Sequence, residues 1–326
     1  MINFKIGILG AGNIAAKIAE TSEQLDSFEV YAIASRDIDK ANSFGDKYSV
    51  KKRYGSYAEL ISDPDVELIY IATPHSNHVE LAKRCIEAGK PCLVEKAFSY
   101  NATTAEEVLK LSEEKGVFCG EAMWIRFMPV YRFIYEKIRE GIIGEPQQIS
   151  CSIGYDLRGK ERLAKPELAG GALLDLGVYP LNLFSIVFEA QPENTIASCL
   201  KLPNGVEAQI SLNMTFPKGK TANALITMLY GTGNEGKIFG NKGYMVIDNI
   251  NCPNEVKIFG GDNKQLADLK VNDRQISGYE YEFIAARDAI ITGKYESPAM
   301  PHSETIRILK ICDNIRNACG IKFPME

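Results

Sequence analysis

The first 125 residues alternate short apolar runs with amphipathic stretches. Five runs are nearly all apolar, as is typical of strands buried on both faces of a parallel sheet. They lie at residues 5–10, 29–35, 67–74, 92–98 and 116–123. Helical periodicity fills the gaps: Val79, Ala82 and Ile86 share one face of a helix that Gly89 ends. Strands that alternate with helices predict a right-handed, doubly wound parallel sheet.

The pattern changes near residues 144–146. Residues 209–216 alternate strictly, with Ile210, Leu212, Met214 and Phe216 on one face and polar residues on the other. Such a half-buried strand is typical of an antiparallel sheet. Further apolar stretches separated by Gly/Asn-rich turns follow, and two late helices are predicted at about 277–293 and 303–319.

The fold class is therefore α/β with two domains. We predict an N-terminal Rossmann doubly wound domain at residues 1–123 and a C-terminal α+β domain at residues 124–326. The second domain is expected to contain an open, mainly antiparallel sheet and to bind substrate and form dimers. The late helices could pack back on the first domain.

Composition narrows the class of protein. The 326 residues are 45% hydrophobic and 24% charged, and the net charge of −5 gives no reason to expect a nucleic-acid partner. No apolar run approaches about 18 residues, and the chain starts directly with a strand, so we expect a cytoplasmic protein without a membrane partner. Eight scattered cysteines without a CxxC and three histidines offer no metal-ligand spacing, so no metal is expected.

A dinucleotide-binding loop follows the first strand. Residues 10–15 read G-x-G-x-x-A: Gly10 allows the tight turn, Gly12 lets the backbone approach a pyrophosphate, and Ala15 permits close helix packing. The helix that begins at Asn13 and Ile14 directs its free N–H groups at the phosphates. These residues are predicted to bind the cofactor.

The end of the second strand bears on cofactor choice. An NAD site places an acidic residue there, whereas this chain has Ser35 followed by Arg36. A guanidinium suits a 2′-phosphate, which favours NADP(H) over NAD(H). In the alternative, Arg36 is solvated and Asp37 bonds the ribose.

Candidate catalytic groups come from two places. Ligands of open α/β sheets bind at the carboxyl ends of the strands, where the chain delivers Thr73-Pro74, Glu95-Lys96 and residues 121–126. The Lys96 ammonium can donate to a substrate oxygen near the nicotinamide.

The second place is residues 168–181. Asp175 and Tyr179 lie four apart on one helical face, and Pro180 is expected to kink the helix. A tyrosine beside a lysine can exchange a proton with the substrate oxygen. The alternative for Tyr179 is a packing residue on an apolar helix.

Together these motifs resemble the Gfo/Idh/MocA oxidoreductases. The resemblance rests on G-x-G-x-x-A, A-T-P-x-x-x-H, E-K followed by a small residue, G-G-A-L-L-D-L-G-V-Y-P, and the helix start at residues 301–307. Residues 121–129 and Tyr179 look most similar to the dihydrodiol dehydrogenase and sugar-reductase branch. Two departures stand out: Ala97 replaces a common proline, and Tyr179 replaces a common histidine.

The resemblance implies roles for particular residues. Lys96 would act with Tyr179 around C4 of the nicotinamide, and Asp175 would line the same pocket. Cofactor-side positions would be Thr73, Pro74, His78, Glu95, Lys96 and Arg126. Trp124 would be a substrate-side position. Apart from the resemblance, Tyr155 and Arg162 are further candidates for binding substrate, and the alternative for Arg162 is that it only closes a loop. For His78 the alternative is a satisfied polar residue near a helix start, and for Trp124 a core ring.

The expected function is hydride transfer between nicotinamide C4 and a secondary alcohol or carbonyl of a sugar, polyol or cyclic diol. The alternative is a catalytically idle dinucleotide-binding sensor of the same fold. An internal oxidoreduction of the glucose–fructose type, with a retained cofactor, is less favoured. The family and the polar face of residues 209–215 both suggest a homodimer through the C-terminal sheet.

Overall fold

A computed structural model describes residues 3–271 and 275–326. The chain forms two compact units. The first contains residues 3–99, 103–124 and 275–305, and the second contains residues 100–102, 125–271 and 306–326. The first unit thus combines the N-terminal region with a segment from near the C-terminus.

The first unit is built on a parallel sheet. Its described strands are β1 (Phe4–Leu9), β2 (Phe28–Ala34), β3 (Lys52–Tyr54), β4 (Leu68–Ile71), β5 (Cys92–Glu95) and β6 (Cys119–Ala122). Their order is β3-β2-β1-β4-β5-β6, and every pair is parallel. This is the strand order of a Rossmann sheet, with the switch point between β1 and β4, and it confirms the predicted doubly wound parallel sheet. All residues of β4, β5 and β6 are buried, as expected for strands covered on both faces.

The second unit is built on a mixed sheet. Its described strands are β7 (Pro146–Gly154), β8 (Asn194–Lys201), β9 (Glu207–Phe216), β10 (Lys220–Thr227), β11 (Gly236–Gly240), β12 (Gly243–Ile247), β13 (Glu255–Gly260) and β14 (Gln265–Lys270). Their order is β14-β13-β12-β11-β7-β10-β9-β8. Only β7 and β10 pair in parallel among these strands. The prediction of a mainly antiparallel sheet is confirmed.

The described α-helices are α1 (Asn13–Ser22), α2 (Ile38–Lys47), α3 (Tyr57–Ile61), α4 (His78–Glu87), α5 (Ala102–Lys115), α6 (Pro129–Arg139), α7 (Val178–Phe188), α8 (Glu280–Ile291) and α9 (His302–Cys319). Helix α4 packs on β4 and β5, and α7 packs on β7. Helix α8 belongs to the first unit.

The apolar segment before and within α7 has an unusual backbone. A π-helical turn at Leu173–Gly177 precedes α7, so Pro180 falls in the first turn of the α-helix, where its missing N–H is tolerated. By length and composition, residues 166–188 could cross a membrane, but 94% of their apolar window is buried inside the protein. A buried core helix passes the same test, so the segment is weak evidence for a span.

Candidate active site

The glycine loop after β1 has the geometry that a dinucleotide needs. Gly10 has φ +103°, and a Cβ there would lie 2.8 Å from the carbonyl oxygen of Ala72, so only glycine fits. Gly12 precedes α1 in extended conformation, and a Cβ there would meet no atom within 4 Å. Asn13 is exposed and Ile14 half-buried, and the first N–H groups of a helix have no partner within the helix. The loop therefore fits a bound pyrophosphate.

Three neighbouring residues at the end of β2 have different roles. The Asp37 carboxylate caps α2 by accepting the N–H of Asp39 at 3.1 Å, and Ser35 Oγ accepts the N–H of Asp37 at 3.3 Å. Arg36 is exposed. Burial raises the pKa of Tyr57, and the charge of Arg36 beside it opposes that rise. The exposed guanidinium of Arg36 can meet a ligand from solvent.

Lys96 lies at the carboxyl end of β5, on a segment held by its neighbours. The peptide bond between Lys96 and Ala97 is cis. Glu95 Oε2 accepts the backbone N–H of Lys96 at 3.2 Å. Tyr70 Oη, on the adjacent strand β4, donates to Glu95 Oε1 at 2.6 Å. Nothing in the sequence distinguishes Tyr70 from an ordinary residue of an apolar strand.

His78 ties the end of β4 to the Lys96 segment. Its ring is fully buried. Nδ1 lies 2.9 Å from the carbonyl oxygen of Ala97, and Nε2 lies 2.8 Å from that of Thr73. Both nitrogens are thus occupied by backbone oxygens. This geometry favours the alternative of a satisfied polar residue that positions the loop after β5.

Glu121 fixes the residue beyond Ala97. Its Oε1 accepts the N–H of Phe98 at 3.1 Å, and its Oε2 accepts the hydroxyl of Thr305 at 2.8 Å. Glu121 is buried at the end of β6. The segment that carries Lys96 is therefore held from β4, α4 and β6.

Two of the four buried polar atoms that lack a partner in the described part of the first unit belong to predicted site residues. They are Thr73 Oγ1, at the end of β4 beside half-buried Pro74, and Trp124 Nε1. The Trp124 ring stacks on Tyr279 with centroids 4.6 Å apart and an interplanar angle of 16°. A buried donor without a partner is costly, so both atoms fit contact with a bound ligand. The two were predicted site residues.

In the second unit, Asp175 and Arg162 form a pair. Arg162 Nη2 lies 2.9 Å from Asp175 Oδ1. Asp175 is in the π-helical turn and Tyr179 is in the first turn of α7, and both side chains are buried. The structure brings together a predicted catalytic residue and a predicted substrate residue.

Arg126 and Tyr155 also have partners in the second unit. Arg126 Nε donates to Asn182 Oδ1 at 2.6 Å, and Asn182 Nδ2 donates to the carbonyl of Val178 at 2.8 Å. Arg126 is thus anchored to the start of α7. Tyr155 Oη donates to Asn251 Oδ1 at 2.7 Å.

Glu207 supports the backbone before Asp175 and was not predicted. Its Oε1 accepts the N–H of Leu173 at 3.1 Å. Its carboxyl also fills the space beside Gly171, where φ is +127° and a Cβ would lie 2.1 Å from Oε1. Burial raises the pKa of Glu207 to about 7. The sequence feature that could have identified Glu207 is a glutamate at the first position of β9, on the buried side of that strand.

The described part of the chain contains no cluster of side chains suited to a metal site. No group of three or more His, Cys, Asp or Glu side chains could hold a metal ion there. The eight cysteines, all of them in the described ranges, form no disulfide, and five of them are buried.

Comparison with known proteins agrees with this architecture. Residues 4–123 match the oxidoreductase family with an NAD-binding Rossmann fold, Gfo/Idh/MocA, and residues 131–246 match the C-terminal domain of that family. Trans-1,2-dihydrobenzene-1,2-diol dehydrogenase of Mus musculus is 32% identical over 333 residues, covering 98% of each chain. The enzyme of the same name from Homo sapiens is 30% identical, again with 98% coverage of both chains.

Solved structures share the fold. A 3-ketoreductase from Actinomadura kijaniata, in complex with NADP and TDP-benzene, superposes with a TM-score of 0.87 at 24% identity, covering 97% of this chain and 98% of its own. An aldose–aldose oxidoreductase from Caulobacter crescentus gives a TM-score of 0.87 at 22% identity, with 98% coverage of each. The glycine loop, the two sheets and the full-length similarity lead to one conclusion: the chain belongs to the Gfo/Idh/MocA family of oxidoreductases.

Proposed function

We propose that this protein is an NADP(H)-dependent dehydrogenase that acts on a secondary alcohol, or the matching carbonyl, of a cyclic diol, sugar or polyol. A trans-cyclic vicinal diol is the first candidate substrate, because the dihydrodiol dehydrogenases are about 30% identical along the whole chain. The observation that carries the proposal is Lys96 at the carboxyl end of β5, on a segment held by His78 and Glu121.

The cofactor would be held by this chain's glycine loop and β2 end. Gly10 and Gly12 leave room for the pyrophosphate at the start of α1, and Arg36 would bind the 2′-phosphate. Thr73 supplies a buried hydroxyl without a described partner. When bound, the nicotinamide supplies or accepts the hydride.

Lys96 and Tyr179 would share the substrate oxygen. The Lys96 ammonium would donate to that oxygen and stabilise its developing negative charge. The Tyr179 phenol would give the proton to, or take it from, the same oxygen. Asp175, held in place by Arg162, would accept a hydrogen bond from a substrate hydroxyl and so orient the substrate. Trp124 and Tyr155 would supply ring surfaces against the substrate.

The test is absorbance of the reduced cofactor with purified protein, NADP⁺ and a panel of cyclic diols, sugars and polyols. We expect turnover of at least one compound and a loss of roughly 100-fold or more in Lys96→Met and in Tyr179→Phe. Lys110→Met, an exposed lysine beside Glu114, and Tyr135→Phe, an exposed tyrosine, serve as matched controls. Tight NADPH binding without turnover of any compound would instead favour the idle sensor.

We also propose a homodimer that forms through the open face of the second sheet. Ser211, Asn213 and Thr215 of β9 are exposed on one face, and Ile196 of β8, opposite Asn213, is 63% exposed. Light scattering should report about 72 kDa, twice the 36.1 kDa of one chain. Ile196→Lys should shift the protein toward the monomer, whereas Ile291→Lys, on an exposed residue of the first unit, should not. A wild-type mass near 36.1 kDa contradicts the dimer.

A cytoplasmic location completes the proposal. The eight cysteines of the described ranges form no disulfide, which is the state that a reducing compartment maintains.

A further inference from the structure

Tyr70 Oη lies between two buried carboxyl groups in the first unit. It is 2.6 Å from Glu95 Oε1 and 3.1 Å from Glu282 Oε1. Tyr70 and Glu282 are completely buried, and Glu95 nearly so. The three side chains come from β4, β5 and α8, so the contact joins the end of the sheet to a helix more than 180 residues away in sequence.

Counting protons constrains this arrangement. A phenol has one proton and can donate only one hydrogen bond, whereas an ionised carboxylate can only accept. If both carboxyls were ionised, one of the two contacts to Tyr70 would set oxygen against oxygen with no proton between them. One of the two acids must therefore be neutral and donate to the phenol oxygen.

The surroundings identify Glu282 as the neutral acid. Glu282 Oε2 has no partner among the described residues, and an anion with a dry, unpaired oxygen is very costly. Glu95 instead accepts both the Tyr70 hydroxyl and the backbone N–H of Lys96. Glu280, on the same helix as Glu282, accepts the N–H groups of Ile276 and Gly278 and adds a negative charge nearby.

The electrostatic environment of Glu282 and Tyr70 also favours their protonated forms. Burial raises the pKa of Glu282 well above its ordinary value, and the charges of Glu95 and Glu280 add to the rise. Burial and the negative charge of Glu95 raise the pKa of Tyr70 as well. The phenol thus keeps its proton throughout the working pH range.

We propose that Glu282 is a permanently neutral carboxylic acid that donates to Tyr70, and that Tyr70 consequently donates to Glu95 and keeps it ionised beside Lys96. Tyr70 and Glu282 are then positioning residues for the active site. This part of the inference rests on the proposed function, since it assumes that Lys96 meets the substrate. The chain of two hydrogen bonds places the negative charge of Glu95 at the backbone N–H of Lys96.

The protonation of Glu282 can be measured without any turnover. The infrared difference spectrum between wild type and Glu282→Gln at pH 8 should contain the carbonyl band of a protonated, buried carboxylic acid. Glutamine keeps the size and a donor group, so the variant should fold. A difference spectrum with only carboxylate bands overturns the proposal.

The positioning role is tested through the pH profile. In Tyr70→Phe, Glu95 loses a donated hydrogen bond and takes up a proton at higher pH, so the acidic limb of kcat/KM should move up by about one pH unit. Tyr54→Phe is the matched control, because Tyr54 Oη donates to the buried Asp63 at 2.8 Å in the same unit; its profile should match wild type. An unmoved limb in Tyr70→Phe overturns the positioning role. If no compound is turned over, the proposed function fails and the positioning role with it, whereas the infrared spectrum still decides the state of Glu282.

Discussion

Arg162 and Asp175 form an ion pair, with Nη2 of the arginine 2.9 Å from Oδ1 of the aspartate. The Asp175 side chain is 7% exposed and that of Arg162 47%. The arginine therefore covers a carboxylate that the sequence predicts to line the reaction pocket. Two residues with separate expected roles act as one structural element.

This pair predicts non-additive kinetics. Arg162→Met should lower kcat/KM about tenfold, because Asp175 loses the cation that orients it, and Asp175→Asn should lower it at least as much. The double variant should be no worse than Asp175→Asn alone. Arg158→Met is the control: Arg158 pairs with Asp156 on the surface, and exposed pairs contribute little. Losses that simply multiply in the double variant would show that the two residues act separately.

Glu207 predicts a pH-dependent stability. Its pKa of about 7 in the folded protein is above its ordinary value of 4.5, so folding favours the protonated form. The stabilisation is complete below about pH 4.5 and is lost as the pH rises through 7, by at most about 3 kcal/mol.

Glu207→Gln should remove this loss, because an amide keeps an acceptor for the Leu173 N–H and has no charge to bury. In urea denaturation from pH 5 to pH 8, the variant should gain stability relative to wild type as the pH increases. Glu193→Gln, at an exposed position in the same unit, should follow wild type. Parallel curves for wild type and Glu207→Gln would contradict a raised pKa for Glu207 in the folded protein.

Arg36 predicts cofactor preference. Removing a charge-assisted hydrogen bond to phosphate costs about 1.5–3 kcal/mol, so Arg36→Ala should weaken NADPH binding by about 10- to 100-fold. NADH lacks the 2′-phosphate and should bind wild type and variant equally. Fluorescence titration of both cofactors gives the four affinities. Unchanged NADPH affinity in the variant would support the alternative in which Asp37 meets the ribose.

His78 predicts a catalytic effect without ligand contact. His78→Ala releases the carbonyls of Thr73 and Ala97, so the Lys96 segment should loosen and kcat should drop about tenfold or more. The control is His302→Ala, because His302 Nε2 also lies 2.8 Å from a strand carbonyl, that of Cys119. Equal effects of the two substitutions would indicate a general loss of packing instead.

Much of the fold follows from local patterns. The strict alternation of residues 209–216 predicted β9, whose Ile210, Leu212, Met214 and Phe216 are buried. The continuous apolar runs predicted five of the six parallel strands. Strand β3 was not predicted, because its three residues are all half-buried and show no periodic pattern of apolar residues. Strand β8 is an edge strand without a buried residue.

The helix around Pro180 has a backbone feature that local sequence rules do not predict. Proline frees a backbone carbonyl, which predicts a kink, but the structure absorbs the change in a π-helical turn before α7. The N–H of Leu173, the first residue of this turn, is donated to the carboxyl of Glu207, which lies on a strand 34 residues later. A single sequence contains no record of that contact.

The candidate site likewise contains residues that motifs indicate and contacts that only the fold reveals. The loop glycines, Lys96 and Tyr179 occupy places that motifs define, so they could be predicted. Tyr70 and Glu282 are 212 residues apart and look like ordinary strand and helix residues, so only the fold reveals their contact. The pairing of Arg162 with Asp175 was likewise visible only in three dimensions.

The most direct measurement is kcat/KM for Lys96→Met, Tyr179→Phe and the double variant with the diol or sugar that wild type turns over fastest. If the ammonium and the phenol serve one substrate oxygen, each single variant loses about 100-fold or more and the double variant falls little further. Near wild-type rates in either single variant, or losses that multiply in the double variant, would contradict their joint action.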